Sequence, residues 1–306
     1  MLTAVRGTTT NIPVISVIII THNSEKFIRL CLDSVFKQGC SGLEIIFIDN
    51  GSEDRTAAII RDTLPGIMLI ENPVNLGAAE ARNQGIKLAR GEWILTLDCD
   101  IILEENFLSN IIKIIDQAPS GVGMLQPKIL NLDKKRIYSC GIHLSWSRRF
   151  YDIGSQKRDR GQFNKPREIF GPCSAAALYR RKMLEELIED TGYFDRRFFF
   201  LVEDVDLAWR AKIRHWKCMQ APKAVCYHHG NSSLLNKKYR QYLNLRNRYF
   251  TIIKNDGRLR YFSKILPFVL YDLPRLCYLI LTNRFLREAL FKNTGSKNQV
   301  PKLSHR

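Results

Sequence analysis

The stretch Val14–Ile20, VISVIII, followed at once by Thr21-His22-Asn23-Ser24, decides the fold. Six of its seven residues are β-branched and apolar, with no polar face. A strand with one side in water would alternate, so this one is covered on both sides. Ser24 then offers an N-cap for a helix running to about Gln38. The pattern repeats. Glu44–Ile48 (EIIFI) ends at Asp49-Asn50-Gly51-Ser52, and Asp54 can cap a helix to about Leu64. Ile67–Ile70 is a short third strand, Ala78–Arg90 a helix stopped by Gly91, and Trp93–Leu97 (WILTL) a fourth strand ending at Asp98-Cys99-Asp100. A helix is expected from Leu103 to Gln117.

Strands alternating with helices predict an α/β fold, a mostly parallel sheet covered by helices on both faces. Ligands of such sheets bind beyond the carboxyl ends of the strands. Thr21–Asn23, Asp49–Ser52, Asn72–Gly77 and Asp98–Asp100 all fall there, so four strand ends share one rim. Later, Gly123–Leu130 and Arg136–Leu144 look like strands, and Arg148–Lys165 reads as a mobile loop. A helix over Arg181–Ile188, another over Glu203–Arg214, and a strand over Lys223–Tyr227 ending at His228-His229-Gly230 complete the pattern.

The chain has 306 residues, 45% hydrophobic and 25% charged, which excludes a largely disordered chain and allows one large or two small domains. Its formal charge is +17, but the excess is concentrated. From Asn236 onward sixteen Lys and Arg face three acids, while the first 235 residues are close to neutral. Nucleic acid is therefore not expected as the substrate of the body. The eight cysteines are scattered and form no C-x-x-C pair, which fits a reducing compartment. The N-terminus carries no signal-peptide pattern, so a cytoplasmic location is expected.

Several clusters carry chemistry. Asp98 and Asp100 are one residue apart at a strand end, where a divalent cation would relieve their repulsion, with Mg²⁺ or Mn²⁺ as the hard cations suited to them. A strand-ending turn with two solvated acids is the plainer reading of that pair. His228 or His229 is a third ligand, and spacing does not choose between them. Asp49 can hold a ribose hydroxyl or a base edge, or simply form the turn before Asn50-Gly51. The glycine fingerprint of dinucleotide folds is missing after the first strand, where THNSE stands, so hydride transfer is disfavoured. Asn75–Ala79 opens a helix with Arg82 one turn in, a pattern for an anion or for close helix–sheet packing. Glu203, Asp204 and Asp206 begin a helix, where the dipole favours acids. The preceding Phe198–Val202 run would embed them and raise their pKa toward general-base use.

Taken in order, ISVIIITHNSEKFIRLCLDSV, EIIFIDNGSEDRT, NLGAAEARNQGI, WILTLDCD, FGPCSAAALYRR, FFFLVEDVDLAWRAK, VCYHHGNSS and LRNRYF resemble glycosyltransferase family 2, inverting enzymes of the GT-A fold. The set is closest to bacterial transferases of O-antigen, capsule or other surface polysaccharide, including rhamnosyltransferase-like members. The resemblance implies that Thr21, Asn23 and Glu25 line a nucleotide pocket and Asp49 binds a uracil or thymine ring. It implies Arg82 near the diphosphate, Asp98 at the ribose or the metal, and Asp100 on the metal with His228 (His229 as alternative). Asp204 would be the catalytic base, with Glu203 at the acceptor site. Cys99 departs from the Pro or Ser often found between the two aspartates, and its side chain is expected to point away from the ligand. The implied donor is a UDP- or dTDP-sugar, and the implied acceptor a hydroxyl of a glycan or lipid-diphosphate-linked saccharide. A sugar-phosphate nucleotidyltransferase is the alternative enzyme, though it needs a glycine-rich basic loop after the first strand. A non-catalytic membrane- or nucleic-acid-binding scaffold is the third reading.

Tyr261–Leu281 is mostly apolar but carries Lys264, Asp272 and Arg275 on one side and two prolines. That is an amphipathic pattern, expected to lie on an anionic membrane surface at the inner face of the plasma membrane rather than cross it. A helical cap on the core with a solvated basic face is the plainer reading, and a homodimer through the C-terminal helices is a further option. The expected organisation is a disordered N-terminus (1–10), a GT-A domain (11–257), a basic amphipathic segment (258–292) and a disordered tail (293–306).

Overall fold

A computed structural model describes residues 14–40, 42–230, 235–256, 266 and 268–291. Strands β1 (Ile15–Thr21), β2 (Leu43–Asp49), β3 (Met68–Glu71) and β4 (Trp93–Asp98) alternate with helices α1 (Ile28–Phe36), α2 (Thr56–Thr63) and α3 (Ala78–Leu88). The four strands lie parallel in the order β3-β2-β1-β4. Side-chain parity on β1 explains the apolar run. Ile15, Val17 and Ile19 join Leu32 of α1 and Ile60 of α2, whereas Ile18 joins Ala79, Ala81 and Ile86 of α3. Both faces are covered, and the one polar residue within the run, Ser16, is buried with its hydroxyl bonded to Glu44 and Gly91.

Past β4 the chain departs from the simple alternation. Ile101–Leu103 forms β5, paired antiparallel with the end of the last strand, so the expected helix is shortened to α4 (Phe107–Ile115). After β6 (Val122–Asn131), the single strand expected over Arg136–Leu144 is two, β7 (Ile137–Ser139) and β8 (Ile142–Leu144). They part at Gly141, whose φ of +102° bends the chain where a side chain would be strained. The segment expected to be a mobile loop is tied down. Within it β9 (Phe150–Asp152) pairs with β8, and the buried Lys128 ammonium on β6 donates to Asp159 Oδ2 at 2.9 Å and to Asn164. Next come β10 (Glu168–Ile169), β11 (Ala176–Arg180), α5 (Arg181–Leu187), α6 (Glu203–Ile213) and β12 (Lys217–His228), the last far longer than expected.

The result is an α/β fold on one mixed ten-stranded sheet, ordered β10-β12-β6-β11-β4-β1-β2-β3 with β5 and β7 at its side. Helices α1, α2 and α4 supply the core on one face, and α3, α5 and α6 on the other. Strand β12 runs parallel to β6, and both β6 and β4 run antiparallel to β11. Hence β12 and β4 point the same way, and His228 arrives at the edge where Thr21, Asp49 and Asp98 end.

Two compact units divide the chain, Met1–Leu234 and Leu235–Arg306. The division falls where the basic excess begins, at Asn236, and ahead of the 257/258 boundary expected for the GT-A domain. The reason is α7 (Lys237–Asn255), which carries the LRNRYF motif and belongs with the C-terminal elements: a π-helical turn at Phe268–Asp272, α8 (Leu273–Thr282) and α9 (Arg284–Phe291). Leu245, Leu279 and Leu286 form the second unit's buried cluster, and Arg248 Nη1 meets Asp272 Oδ1 at 2.6 Å. Among the described residues no helix is long and apolar enough to cross a membrane. The expectations for residues 1–10, 258–265 and 293–306 lie outside the described residues.

Helix α3 sits close on β1 because Gly85 has no side chain there; a Cβ would overlap Ile18 Cγ2, a stiff branch in the fully buried strand. Gly→Ala in a helix ordinarily gains up to about 1 kcal/mol. Here Gly85→Ala is expected to lose stability, by about 1–3 kcal/mol from overpacking. Urea denaturation of the two proteins checks the sign.

Candidate active site

The first two strand ends are locked together. Thr21 and Asp49 are register partners, and Thr21 Oγ1 donates to Asp49 Oδ1 at 2.8 Å. Ser52 adds its hydroxyl (2.6 Å) and its N–H (3.2 Å) to the same carboxylate. Asn23, with φ of +49°, accepts from Glu53 N at 2.8 Å, while its own N–H donates to Ser52 Oγ at 2.9 Å. Glu25 is exposed, and its Oε2 accepts from Arg55 N at 3.2 Å. So Thr21, Asn23, Glu25 and Asp49 share one rim built from two interlocked turns. Asp49 has three donors on it and room for about one more.

Beside them, Asp98, Asp100 and His228 each place a ligand atom within 4.8 Å of the others. His228 Nε2 lies 3.1 Å from Asp100 Oδ1, and both side chains are buried. The edge of Tyr138 packs on the His228 ring at 4.1 Å between centroids. His229 is exposed and lies against Phe27 instead, which settles which histidine joins the acids. Cys99 points away from this cluster, its Sγ donating to Ser24 Oγ at 2.9 Å. Two carboxylates and an imidazole drawn together, Asp100 and His228 buried and Asp98 open to the rim, fit a divalent cation such as Mn²⁺ or Mg²⁺. Burial pushes the Asp98 carboxyl up, Arg82 opposes that, and the Asp100 charge adds to it.

Arg82 is buried and spans two acids. Its Nη2 donates to Asp98 Oδ1 at 2.8 Å and its Nη1 to Glu203 Oε1 at 2.7 Å. The resemblance implies this guanidinium near a diphosphate; its two terminal nitrogens are engaged by protein carboxylates, one of them Asp98 of the candidate cation cluster. Burial raises the Glu203 carboxyl to about 7, against the opposing charge of Arg82 and with the help of Asp204. Nothing among the described residues donates to the buried Glu203 Oε2. Asp204 Oδ2 accepts from Ser174 N at 3.1 Å and Ser174 Oγ at 3.4 Å, and burial raises its pKa as well. Ser174 therefore holds Asp204 in place. It lies within FGPCSAAALYRR, so the motif was visible but this serine's task was not. The backbone before Glu203 is strained, with positive φ at Phe199 (66°), Leu201 (70°) and Val202 (74°). Such values are rare for bulky and β-branched residues and cluster at functional sites.

With this geometry in place, the sequence matches the family model for Glycosyl transferase family 2 over residues 16–188. The chain belongs to glycosyltransferase family 2. Among curated relatives of this family 2 chain is the poly-β-1,6-N-acetyl-D-glucosamine synthase of Staphylococcus epidermidis, 27% identical over 216 residues, or 70% of this chain and 49% of the relative. The chain spans about half the length, or less, of the curated relatives it first matches. Among solved structures, GalNAc-T7 with UDP, GalNAc and Mn²⁺ superposes with a TM-score of 0.59 at 16% identity, covering 80% of this chain and 48% of that one. A mannosyltransferase from Pyrobaculum calidifontis with GDP-Man and Mn²⁺ gives 0.53 at 20% identity, covering 94% and 77%. These likenesses establish the GT-A type of fold.

Two outcomes are expected of this family 2 site. Removing even a supporting residue from a metal site typically costs about 10–100-fold in affinity, so His228→Ala should weaken Mn²⁺ binding at least that much and His229→Ala should not. Titration followed by the Mn²⁺ electron paramagnetic resonance signal checks both. The second concerns pH. Glu203 holds its proton to about 7 when folded and releases it near the ordinary 4.5 when unfolded. Folding therefore takes up a proton between those values, and this contribution to stability, full below 4.5, fades as pH rises through 7. Glu203→Gln should flatten that decline in denaturation curves recorded across pH 4.5–7.

Proposed function

We propose that the protein is a divalent-cation-dependent, inverting glycosyltransferase that moves a sugar from a nucleoside-diphosphate donor to a hydroxyl of a glycan or lipid-linked saccharide. One observation carries the reading. Arg82 joins Asp98 of the cation-binding cluster to Glu203, the neighbour of Asp204, so a site for a diphosphate and a proton acceptor face one rim.

On the donor side, Asp49 keeps one acceptor position for a base N–H, and the turns at Thr21–Glu25 and Asp49–Ser52 wall the pocket. Asp98, Asp100 and His228 would hold the cation, which supplies neutralisation of the charge growing on the departing diphosphate. On the acceptor side, the unmatched Glu203 Oε2 offers a hydrogen bond to a sugar hydroxyl. Asp204, steadied by Ser174 and raised by burial, takes the proton of the attacking hydroxyl. The acceptor oxygen bonds to the anomeric carbon from the face opposite the diphosphate. The anomeric C–O bond to phosphate breaks, and its electron pair leaves with the diphosphate. A single displacement inverts the centre.

The ligands named in the two solved neighbours, UDP with Mn²⁺ and GDP-Man with Mn²⁺, support a nucleotide-sugar donor. The S. epidermidis relative, named as a polysaccharide synthase, supports a saccharide acceptor. The nucleotidyltransferase alternative has no basic glycine loop to stand on, because residues 21–25 are pinned to residues 52–56.

The test is a thermal-shift panel of UDP, dTDP and GDP, each with and without Mn²⁺, since bound ligand raises the melting temperature. One nucleotide should stabilise the wild type only with metal, and Asp100→Asn should abolish the shift. Asp204→Asn should keep the shift yet lower turnover of the matching nucleotide sugar by about 10²–10⁴-fold. No shift with any nucleotide in any metal would sink the reading.

A further inference from the structure

Helix α8 is apolar on two sides. On the inner side Leu279 is buried with Leu276 and Ile280 packed beside it, Asp272 just before the helix is buried against Arg248, and half-buried Arg275 donates through Nη1 to Tyr271 Oη at 3.2 Å. A second apolar row faces outward. Leu273, Cys277 and Leu281 are exposed at spacings of four, which is one stripe on α8, Tyr278 widens it, and Val269 and Leu270 of the preceding π-helical turn are exposed as well. Leu270, Tyr278 and Leu281 are 69%, 63% and 76% exposed. A helix that closes a water-soluble core puts such residues inside. A contiguous outward stripe marks a surface that something covers.

The charge around the stripe says what. Arg284 on α9 is exposed directly after it, as are Lys237 and Lys238 at the start of α7; Arg287 is exposed too, with its Nη1 on the Ile280 and Leu281 carbonyls, and Glu288 is an exposed acid beside it. In the sequence Lys292, Lys297, Lys302 and Arg306 follow with no acid among them. An apolar strip with a basic surround is complementary to acyl chains beneath anionic headgroups. A second copy of the chain would bring like charges together, which disfavours self-association. The ten residues of α8 span about 15 Å, half the hydrocarbon thickness, so the helix has the length to lie in the interface and not to cross it.

We propose that α8 docks in the plane of a bilayer containing anionic phospholipid, with the Leu270–Leu281 stripe at the acyl boundary and the surrounding Lys and Arg on the headgroups. This stands apart from the catalytic reading, because it needs neither donor nor acceptor.

Flotation of the full chain with phosphatidylcholine vesicles, with and without about one third phosphatidylglycerol, tests it in the absence of nucleotide. The wild type should float only with the anionic vesicles and come off in high salt. L270D/L281D should reduce flotation by about tenfold or more while leaving the melting temperature without vesicles unchanged, since both positions are exposed. Leu281→Asp alone, at the most exposed position, gives the same reading should the double variant unfold. Arg284→Glu with Lys237→Glu should weaken binding to the anionic vesicles. Equal flotation of wild type and L270D/L281D, or no flotation of the wild type, overturns the proposal. So does a wild-type dimer in light scattering that L281D splits, which would assign the stripe to a second copy.

Discussion

The rest of the site depends on one buried guanidinium. Asp98, Glu203 and Asp204 are brought close at the edge of a sheet where water is scarce, and three carboxylates there repel and lose solvation together. Arg82 answers both problems by spanning Asp98 and Glu203 with two charge-assisted hydrogen bonds. Its position is inherited from packing. Small residues let α3 approach β1, with Gly85 against Ile18, and this sets the depth at which the helix delivers its arginine. The neighbouring Asn83 clamps the Phe194 backbone in both directions, through its Nδ2 and its Oδ1 at 2.8 Å each. A helix face without bulk thus becomes an electrostatic constraint on the two sides of the pocket.

The same constraint accounts for the strain nearby. Phe199 packs against Gly77 at the start of α3, so the backbone from Phe199 to Val202 must turn sharply to place Glu203 on Arg82. Three non-glycine residues with positive φ cost of the order of 1–3 kcal/mol each and persist only where the surroundings over-determine them. Here the ion pair to Arg82 at one end and the packing of Phe198 and Val202 in the core supply that determination. Acids at a helix N-terminus would be content with the dipole alone. The strained approach and the hydrogen bonds from Ser174 mark a more specific demand on where Asp204 sits.

The parallel half of the sheet was legible because burial on both faces leaves a period-free apolar run, as in VISVIII and EIIFI. The rim residues were legible for the same reason: they are the first polar groups after each run. Legibility ended where pairing partners come from far away. Strand β5 exists only because β12 returns to pair with it, and nothing local to Ile101–Leu103 announces that. The tethering of residues 148–165 comes from backbone pairing with residues 135–144 and from Lys128, a buried lysine that looks like any surface lysine in sequence. His228 and His229 are equivalent in spacing, and the end of β12 turns one toward Asp100 and the other toward Phe27. The pattern at the start of α3 leaves Arg82 open between an anion site and close helix–sheet packing; its carboxylate partners lie 16 and 121 residues away, beyond any local signal.

The C-terminal segment shows a different limit. Periodicity divides a helix into faces but does not say which face turns inward. Lys264, Asp272 and Arg275 on one side pointed to a polar face turned toward water. The second unit reverses this for Asp272, because α7 offers Arg248 to it, and a buried ion pair binds the polar side inward. Once that pair forms, rotation by half a turn would leave Arg248 without its partner and would also bring Leu279 into water, so turning the outer leucines inward gains little. The orientation of α8 therefore follows from the Arg248–Asp272 contact together with Leu279 in the core, and the exposed apolar stripe is what remains outside.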